Sequence, residues 1–262
     1  MSSPPNARIH PTAVVDDAAE LGADVEIGPY CVIGASVRLG DRCRLASHVV
    51  LAGPANIGAD NVFYPFACVG QRTQDLKYTG EPTVLEVGAG NTFREFVTVH
   101  RATSPGGVTR VGSRGNFLAY THIAHDCTVG DDVIFSNNGT LAGHVEVGAR
   151  AIIGGLTAVH QFCRVGTLAI TGGCSKIVQD VPPFMIADGN PAEIRGINQV
   201  GLERAGFGPE IVRALKEAYR IIYRSKLNTK QALERLETEL GIFAEVQQLL
   251  TFIRESKRGI VR

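Results

Sequence analysis

One spacing constrains this chain more than any other feature. Starting at Ile9 and stepping by six, the residues are Ile9, Val15, Leu21, Ile27, Ile33, Leu39, Leu45, Leu51, Ile57, Phe63 and Val69, all of them large and apolar. The series resumes in phase at Val87, Phe93 and Val99, runs from Val111 to Val165, falters at Thr171 and closes at Ile177. A second slot, four residues after each of these, takes smaller side chains such as Val25, Cys31, Val37, Cys43, Val49 and Ala55. Glycine often follows the large residue, as at Gly22, Gly28, Gly34 and Gly40. There it is expected to serve bends with positive φ or close backbone approaches. A period of six fits neither an α-helix nor an indefinitely alternating strand, so each hexad must be a short strand plus a turn. The chain is therefore expected to be mainly β, a parallel β-helix over residues 1–190 with one hexad per flat side of a prism.

Two segments break the series: 71–86, QRTQDLKYTGEPTVLE, and 101–110, RATSPGGVTR. Both are polar and carry Gly and Pro, which marks them as protruding loops. After DVPPFMIADGNPAE the hexads stop, and residues 191–262 read as an α-helical domain. Pro209 suits a first helical turn, and Ile211, Leu215, Ala218, Tyr219 and Ile222 form an apolar stripe. Further stripes run Ala232, Leu233, Leu236, Leu240 and Phe243, Val246, Leu249, Leu250, Ile253. Such a domain also covers the open end of a solenoid, which otherwise exposes strand edges.

Composition narrows the partners. With 26 basic and 26 acidic side chains, the chain has no charge excess to draw it to nucleic acid or to an anionic membrane surface. The N-terminal MSSPPNARIHPTAVV lacks a signal-peptide core, and no run of about 18 apolar residues suggests membrane insertion. A cytoplasmic protein is expected. The six cysteines never fall as Cys-x-x-Cys and several occupy the small slots of the repeat, so they read as reduced packing thiols.

The stretch YTHIAHDCTVG, residues 120–130, places two histidines three apart with an aspartate behind the second. Alone it is equally a metal site, a catalytic base with a helper, or a polar turn. If one coil takes 18 residues, positions 18 apart stack at roughly 5 Å. Gly143 then lies one coil from His125 and Gln161 one coil further, while His144 follows Asp126 in the adjacent column. His122 and His160 join the same patch. A histidine suits a general base near neutral pH. Asp126 could orient its ring only if a turn brought the two neighbours to one side. A glycine one rung away can offer an unobstructed N–H to an oxyanion. Gly155 and Gly173 stack in the same way, leaving two successive rungs without side chains.

The hexads resemble those of the hexapeptide-repeat acyltransferases, which implies a left-handed, triangular helix with three hexads per coil, against the usual right-handed crossover rule. More specifically, QDLKYTGEPT, HIAHDCTVG, LAGHVEVG, GGLTAVHQFCRVG, GGCSKIVQDVPPFMIADGNPA and IYRS resemble the UDP-N-acetylglucosamine O-acyltransferase family, which opens lipid A biosynthesis. That resemblance spans nearly the whole chain. It implies a homotrimer that moves a long 3-hydroxyacyl group from acyl carrier protein to the glucosamine 3-position of UDP-GlcNAc. No cofactor is implied, since the carrier thioester is itself the donor. It implies His125 as general base, Asp126 as its helper and the Gly143 N–H as oxyanion donor. His122, His144, His160 and Gln161 would line the sugar and acyl donor, and Asp75 and Lys77 would reach in from a neighbouring subunit's loop. Asn198 and Arg204 would contact the nucleotide, and Gly173 would set acyl length. The chain departs from several relatives in carrying Val200 where they have an acidic residue.

Two other functions share the fold. A CoA-dependent sugar acetyltransferase differs in its thioester. A zinc lyase or a non-catalytic scaffold would differ in metal content or in lacking transfer. Zinc enzymes on this scaffold show a five-residue spacing between two ligands that His122 and His125 do not reproduce, so no metal is expected.

Overall fold

The computed structural model describes residues 6–262, and its first two-thirds is one continuous coil. Strands two to four residues long form three parallel sheets, each strand pairing with the third strand along the chain. The first wall runs from Arg8–Ile9 to Ile170–Thr171, the second from Val14–Val15 to Lys176–Ile177, and the third from Glu20–Leu21 to Arg164–Val165. The solenoid is a left-handed parallel β-helix. Glu26 sits opposite Arg44, His122 opposite Thr140 and Thr128 opposite Glu146, so one coil is 18 residues as the hexads require.

Each hexad's large residue points inward. Phe63, Phe93, Phe117 and Phe135 are all 0% exposed and stack with centroids 4.9, 5.0 and 5.2 Å apart. Each fully buried ring stabilises the prism by roughly 1.5–3 kcal/mol. Several polar interlopers find partners inside the prism. Thr171, the break in the apolar series, is 1% exposed and its Oγ1 accepts the Gly154 N–H at 2.9 Å. Asn61 and Asn91, both buried, bond each other and the carbonyls of Gly58, Gly88 and Gly112 along one corner.

The corners decide between the two uses of glycine. Positive φ falls on non-glycine residues spaced six apart, among them Tyr120 at 63°, Asp126 at 59°, Asp132 at 57°, Asn138 at 61° and His144 at 60°. The hexad glycines serve the other purpose. A Cβ on Gly28 would come within 2.6 Å of the Ala46 carbonyl oxygen, and one on Gly112 within 2.5 Å of Asp131 Oδ1. Close stacking, rather than bend geometry, demands glycine there.

Both loops leave and rejoin the ladder at its edges. Cys68–Gln71 and Val84–Val87 are strands, as are Thr98–His100 and Val108–Val111, so the excursions are 72–83 and 101–107, shorter than the polar text suggested. At the other end the β-structure continues past residue 190. Met185–Gly189 joins the first wall and pairs antiparallel with Ala192–Ile197, and the helical text begins only at Gln199.

The helices are α1 (Gln199–Arg204), α2 (Pro209–Tyr219), a π-helical turn (Arg220–Arg224), α3 (Thr229–Leu240) and α4 (Ala244–Glu255). Pro209 opens α2, and Asn228 and Gln231 form a reciprocal capping box on α3. Their buried faces join the solenoid core in one apolar cluster. Asp180, 1% exposed, fastens the tail to the last coil by accepting from the Arg164 N–H at 2.9 Å and the Ser256 hydroxyl at 2.7 Å.

The cysteines are all free, and four are buried. Burial pushes the thiols of Cys43 and Cys163 up to about 11 and that of Cys127 to about 12, which leaves them unreactive near neutral pH. Among the described residues no helix is long and apolar enough to cross a membrane.

Candidate active site

The corner between the second and third walls carries the chemistry. His122 ends the second wall with Ile123, the chain turns through Ala124, His125 and Asp126, and Thr128 starts the third wall. The turn that an orienting contact required is present. With Asp126 at φ 59°, its carboxylate comes back alongside its neighbour, and His125 Nδ1 meets Asp126 Oδ2 at 2.8 Å. The carboxylate makes Nδ1 the protonated nitrogen and leaves Nε2 as the free base. Both side chains are mostly shielded, at 15% and 12% exposure, which strengthens the pair relative to a surface contact.

Gly143 lies against the ring. A Cβ there would sit 2.4 Å from His125 Cε1 and 2.5 Å from Nε2, so only glycine lets the imidazole occupy this place. The Gly143 N–H donates to no backbone carbonyl among the described residues, whereas its carbonyl accepts the Phe162 N–H at 3.2 Å. His144, at the next corner up, takes a hydrogen bond from its N–H to the His125 carbonyl at 3.0 Å. Its ring meets His125 edge-on at 5.2 Å and stacks on Phe162 at 4.6 Å. His144 Nε2 lies 3.8 Å from Asp126 Oδ2. Donor atoms of His125, Asp126 and His144 all lie within 4.8 Å of one another, the one such metal-competent group among the described residues. With Nδ1 committed to the carboxylate, the arrangement is that of a hydrogen-bonded dyad.

His122 sits lower on the second wall. Its Nδ1 pairs with Thr98 Oγ1 at 2.7 Å, and burial, with His100 and His125 nearby, depresses its pKa to about 4. It is neutral at physiological pH. His100 was not singled out from the sequence, although it directly follows an inward residue of the series, Val99. It is 6% exposed, meets His122 edge-on at 4.9 Å, and its buried Nδ1 has no partner. Burial likewise lowers its pKa. His160 and Gln161 lie side by side on the open surface two rungs above His125, with His160 Nδ1 3.1 Å from the Gln161 carbonyl.

A cleft of about 940 Å³ opens on the third-wall side of the dyad, bounded by Asp126, His144, Phe162, Arg164, Lys257 and Arg258. Asp75 and Lys77 are not gathered into this chain's own cluster. They ride the 72–83 loop, where Asp75 Oδ1 accepts the Lys77 N–H at 2.9 Å and the intervening Leu76 is fully exposed. Arg204 is exposed in the last turn of α1, and Gly173 is exposed on the first-wall side.

Asn198 caps the first helix of the tail. It is 3% exposed; its Oδ1 accepts the Gly201 N–H at 2.9 Å and its Nδ2 donates to the Leu168 carbonyl at 2.8 Å. Both polar atoms take part in capping α1 and tying it to the solenoid. Val200, two residues along, is 57% exposed.

Comparison with known proteins places this geometry. The family model described as Udp N-acetylglucosamine O-acyltransferase, domain 2, matches residues 180–261, and a bacterial transferase hexapeptide model matches residues 18–53. The acyl-carrier-protein-dependent UDP-N-acetylglucosamine O-acyltransferase of Thiobacillus denitrificans is 50% identical over 98% of this chain and all of its own length. That of Halorhodospira halophila is 49% identical over 97% of this chain and 99% of its own. Among solved structures, LpxA from Acinetobacter baumannii superposes with a TM-score of 0.94 at 44% identity, covering 97% of this chain and 99% of that one. With fold, repeat and helical tail shared, and alignments that span nearly its whole length at up to 50% identity, the chain belongs to the UDP-N-acetylglucosamine O-acyltransferase family.

Proposed function

We propose that this chain, an acyl-carrier-protein-dependent UDP-N-acetylglucosamine O-acyltransferase of lipid A biosynthesis, uses His125 as general base to acylate the glucosamine 3-position with a long 3-hydroxyacyl chain. One observation carries the mechanism: His125 Nδ1 is held by Asp126 at 2.8 Å while Nε2 faces Gly143. Nε2 takes the proton of the acceptor hydroxyl as its oxygen attacks the thioester carbonyl. Asp126 steadies the imidazolium that forms, and the Gly143 N–H faces the oxyanion. Collapse breaks the carbon–sulfur bond, and the imidazolium returns its proton to the departing carrier thiolate. His122, kept neutral by burial, can hydrogen-bond substrate without placing a second positive charge beside the base.

The remaining groups fit an assembly. His160 and Gln161 stand exposed on an open wall, and the 72–83 loop leaves Leu76, between Asp75 and Lys77, fully exposed. A homotrimer, with Asp75 and Lys77 of one subunit closing the wall of the next, supplies an enclosed cleft for sugar, nucleotide and acyl chain. Arg204 is the exposed cation suited to the nucleotide's phosphates. The thioester is the acyl donor and no cofactor enters the scheme; the reaction belongs in the cytoplasm, where carrier and nucleotide sugar meet. The test offers UDP-GlcNAc with 3-hydroxyacyl carrier protein or with acetyl-CoA to the protein and to His125→Ala. Turnover with the carrier alone, falling about 100-fold or more in the variant, is expected of a general base. Turnover with acetyl-CoA alone, or near-normal rates in His125→Ala, would overturn the reading.

A further inference from the structure

The dyad carboxylate has two imidazoles to choose from. Asp126 Oδ2 is 2.8 Å from His125 Nδ1 and 3.8 Å from His144 Nε2, and a modest rotation of the carboxylate would exchange them. What prevents that rotation comes from the 101–107 excursion. The Thr103 N–H donates to the same Oδ2 at 3.0 Å. On the other side Gly107 leaves just enough room for Oδ1: a Cβ there would be 3.2 Å from it and 2.9 Å from the Ala102 methyl. Thr109 Oγ1, on the returning strand, accepts the Asp126 N–H at 2.8 Å. Thr103 is itself braced. Its hydroxyl donates to Thr73 Oγ1 at 2.8 Å, and Thr73, 5% exposed, also accepts the Asp75 N–H at 3.0 Å. A line of hydrogen bonds thus runs from the base of the 72–83 loop, through the shorter excursion, to the carboxylate.

We infer that Thr103 is a positioning residue that holds the Asp126 carboxylate on His125 rather than His144, and that Thr73 is the brace that keeps Thr103 in place. The inference rests on the general-base reading of His125. It gives the two polar interruptions of the repeat a joint purpose: the short one clamps the dyad, and the foot of the long one anchors the clamp. A clamp of this kind acts on the direction of Nε2 and on the support given to the imidazolium, so its loss slows the chemical step more than it weakens substrate binding.

Thr73→Val and Thr103→Val each remove one end of the hydroxyl pair at constant volume and leave the Thr103 N–H intact. Either is expected to lower kcat about tenfold with the KM for UDP-GlcNAc changed less than about twofold, the signature of misorientation by a fraction of an ångström. The acid limb of the kcat profile should move to lower pH, because an imidazolium with a wandering carboxylate is less supported. Thr73→Ser, which keeps the acceptor, should restore both readouts. In an Asp126→Asn background, adding Thr73→Val should change nothing further. A wild-type rate and pH profile in both valine variants overturns the inference, as does an undiminished effect of Thr73→Val in the Asp126→Asn background. If Asp126→Asn alone keeps full kcat, the dyad reading fails first, which separates the two failures.

Discussion

Gly143→Ala adds a single methyl group, and the structure says where it goes. The new Cβ would lie 2.4 Å from His125 Cε1, 2.5 Å from Nε2 and 3.0 Å from Nδ1. Ordinary contact begins near 3.4 Å, so the ring must retreat by about 1 Å, enough to cost on the order of 100-fold when a catalytic group is misplaced. The same retreat pulls Nδ1 from its 2.8 Å contact with Asp126 Oδ2. A hydrogen bond to a charged group contributes about 1.5–3 kcal/mol, which is again about a tenfold to hundredfold effect. The two estimates describe one displacement and are not additive. The backbone N–H survives the substitution, so the experiment isolates the placement of the base from the loss of an oxyanion donor. The assay is steady-state release of free acyl carrier protein at saturating UDP-GlcNAc, with a thermal melt to show that the coil is intact. We expect kcat to fall about 100-fold with the melt near wild type. A folded Gly143→Ala protein with wild-type kcat would mean that the ring at this position is not the reacting base.

Three other outcomes follow from the same coordinates. The folded-state pKa of His122 lies near 4, below the 6.5 of a free imidazole, and that of His100 is shifted the same way. Stability fully present above pH 6.5 should therefore be lost as pH falls toward 4, by up to about 3 kcal/mol from His122. Denaturant midpoints should fall across that window, and His122→Gln should flatten the fall; an equally steep fall in the variant would discount His122. Gly173→Met fits sterically, since its Cβ would be 3.5 Å from the Gly155 carbonyl oxygen, an ordinary contact. It should shift selectivity toward shorter 3-hydroxyacyl donors, each displaced methylene costing the long donor about 0.8 kcal/mol, and an unchanged chain-length profile would place the ruler elsewhere. Mixing His125→Ala with Asp75→Ala subunits should restore some activity if sites are shared between chains, whereas strict absence of complementation would confine each site to one chain.

The solenoid was legible because its period is carried by steric demand in the bore, and because the excursions did not destroy the phase. Cys68 pairs with Thr98 and Thr98 with His122, steps of 30 and 24 residues that remain multiples of six. The stacking of Gly143 on His125 followed from that arithmetic alone. The dyad contact did not, since Asp126 lies at a positive-φ corner that its residue type does not announce. Glycine was the misleading cue for those corners, because the left-handed positions are held by Tyr, Asp, Asn, His and Phe under the constraint of the stacked coils. Asn198 shows what sequence context leaves open. An asparagine ahead of a short helix reads as ligand or cap with equal ease, and its bonds to Gly201 and Leu168 show that it caps α1. Thr73, Thr103 and Thr109 were silent, because they lie in or beside segments where no period operates and their partners are distant in sequence.

The inward series also tells how the molecule should come apart. Its first members, Ile9, Val15 and Leu21, are exposed or only partly covered, whereas Ile27 is 3% exposed and Ile33 1%. At the opposite end the hairpin and helices seal the bore. A stacked coil is held only by the coils above and below, so opening proceeds rung by rung from the loose end, with each added rung raising the cost. Amide protons should therefore exchange fastest in the first coil and progressively more slowly toward the dyad, several rungs in. The early coils act as a sacrificial fringe: thermal motion erodes them first, and the corner that must hold His125 to within an ångström stays still.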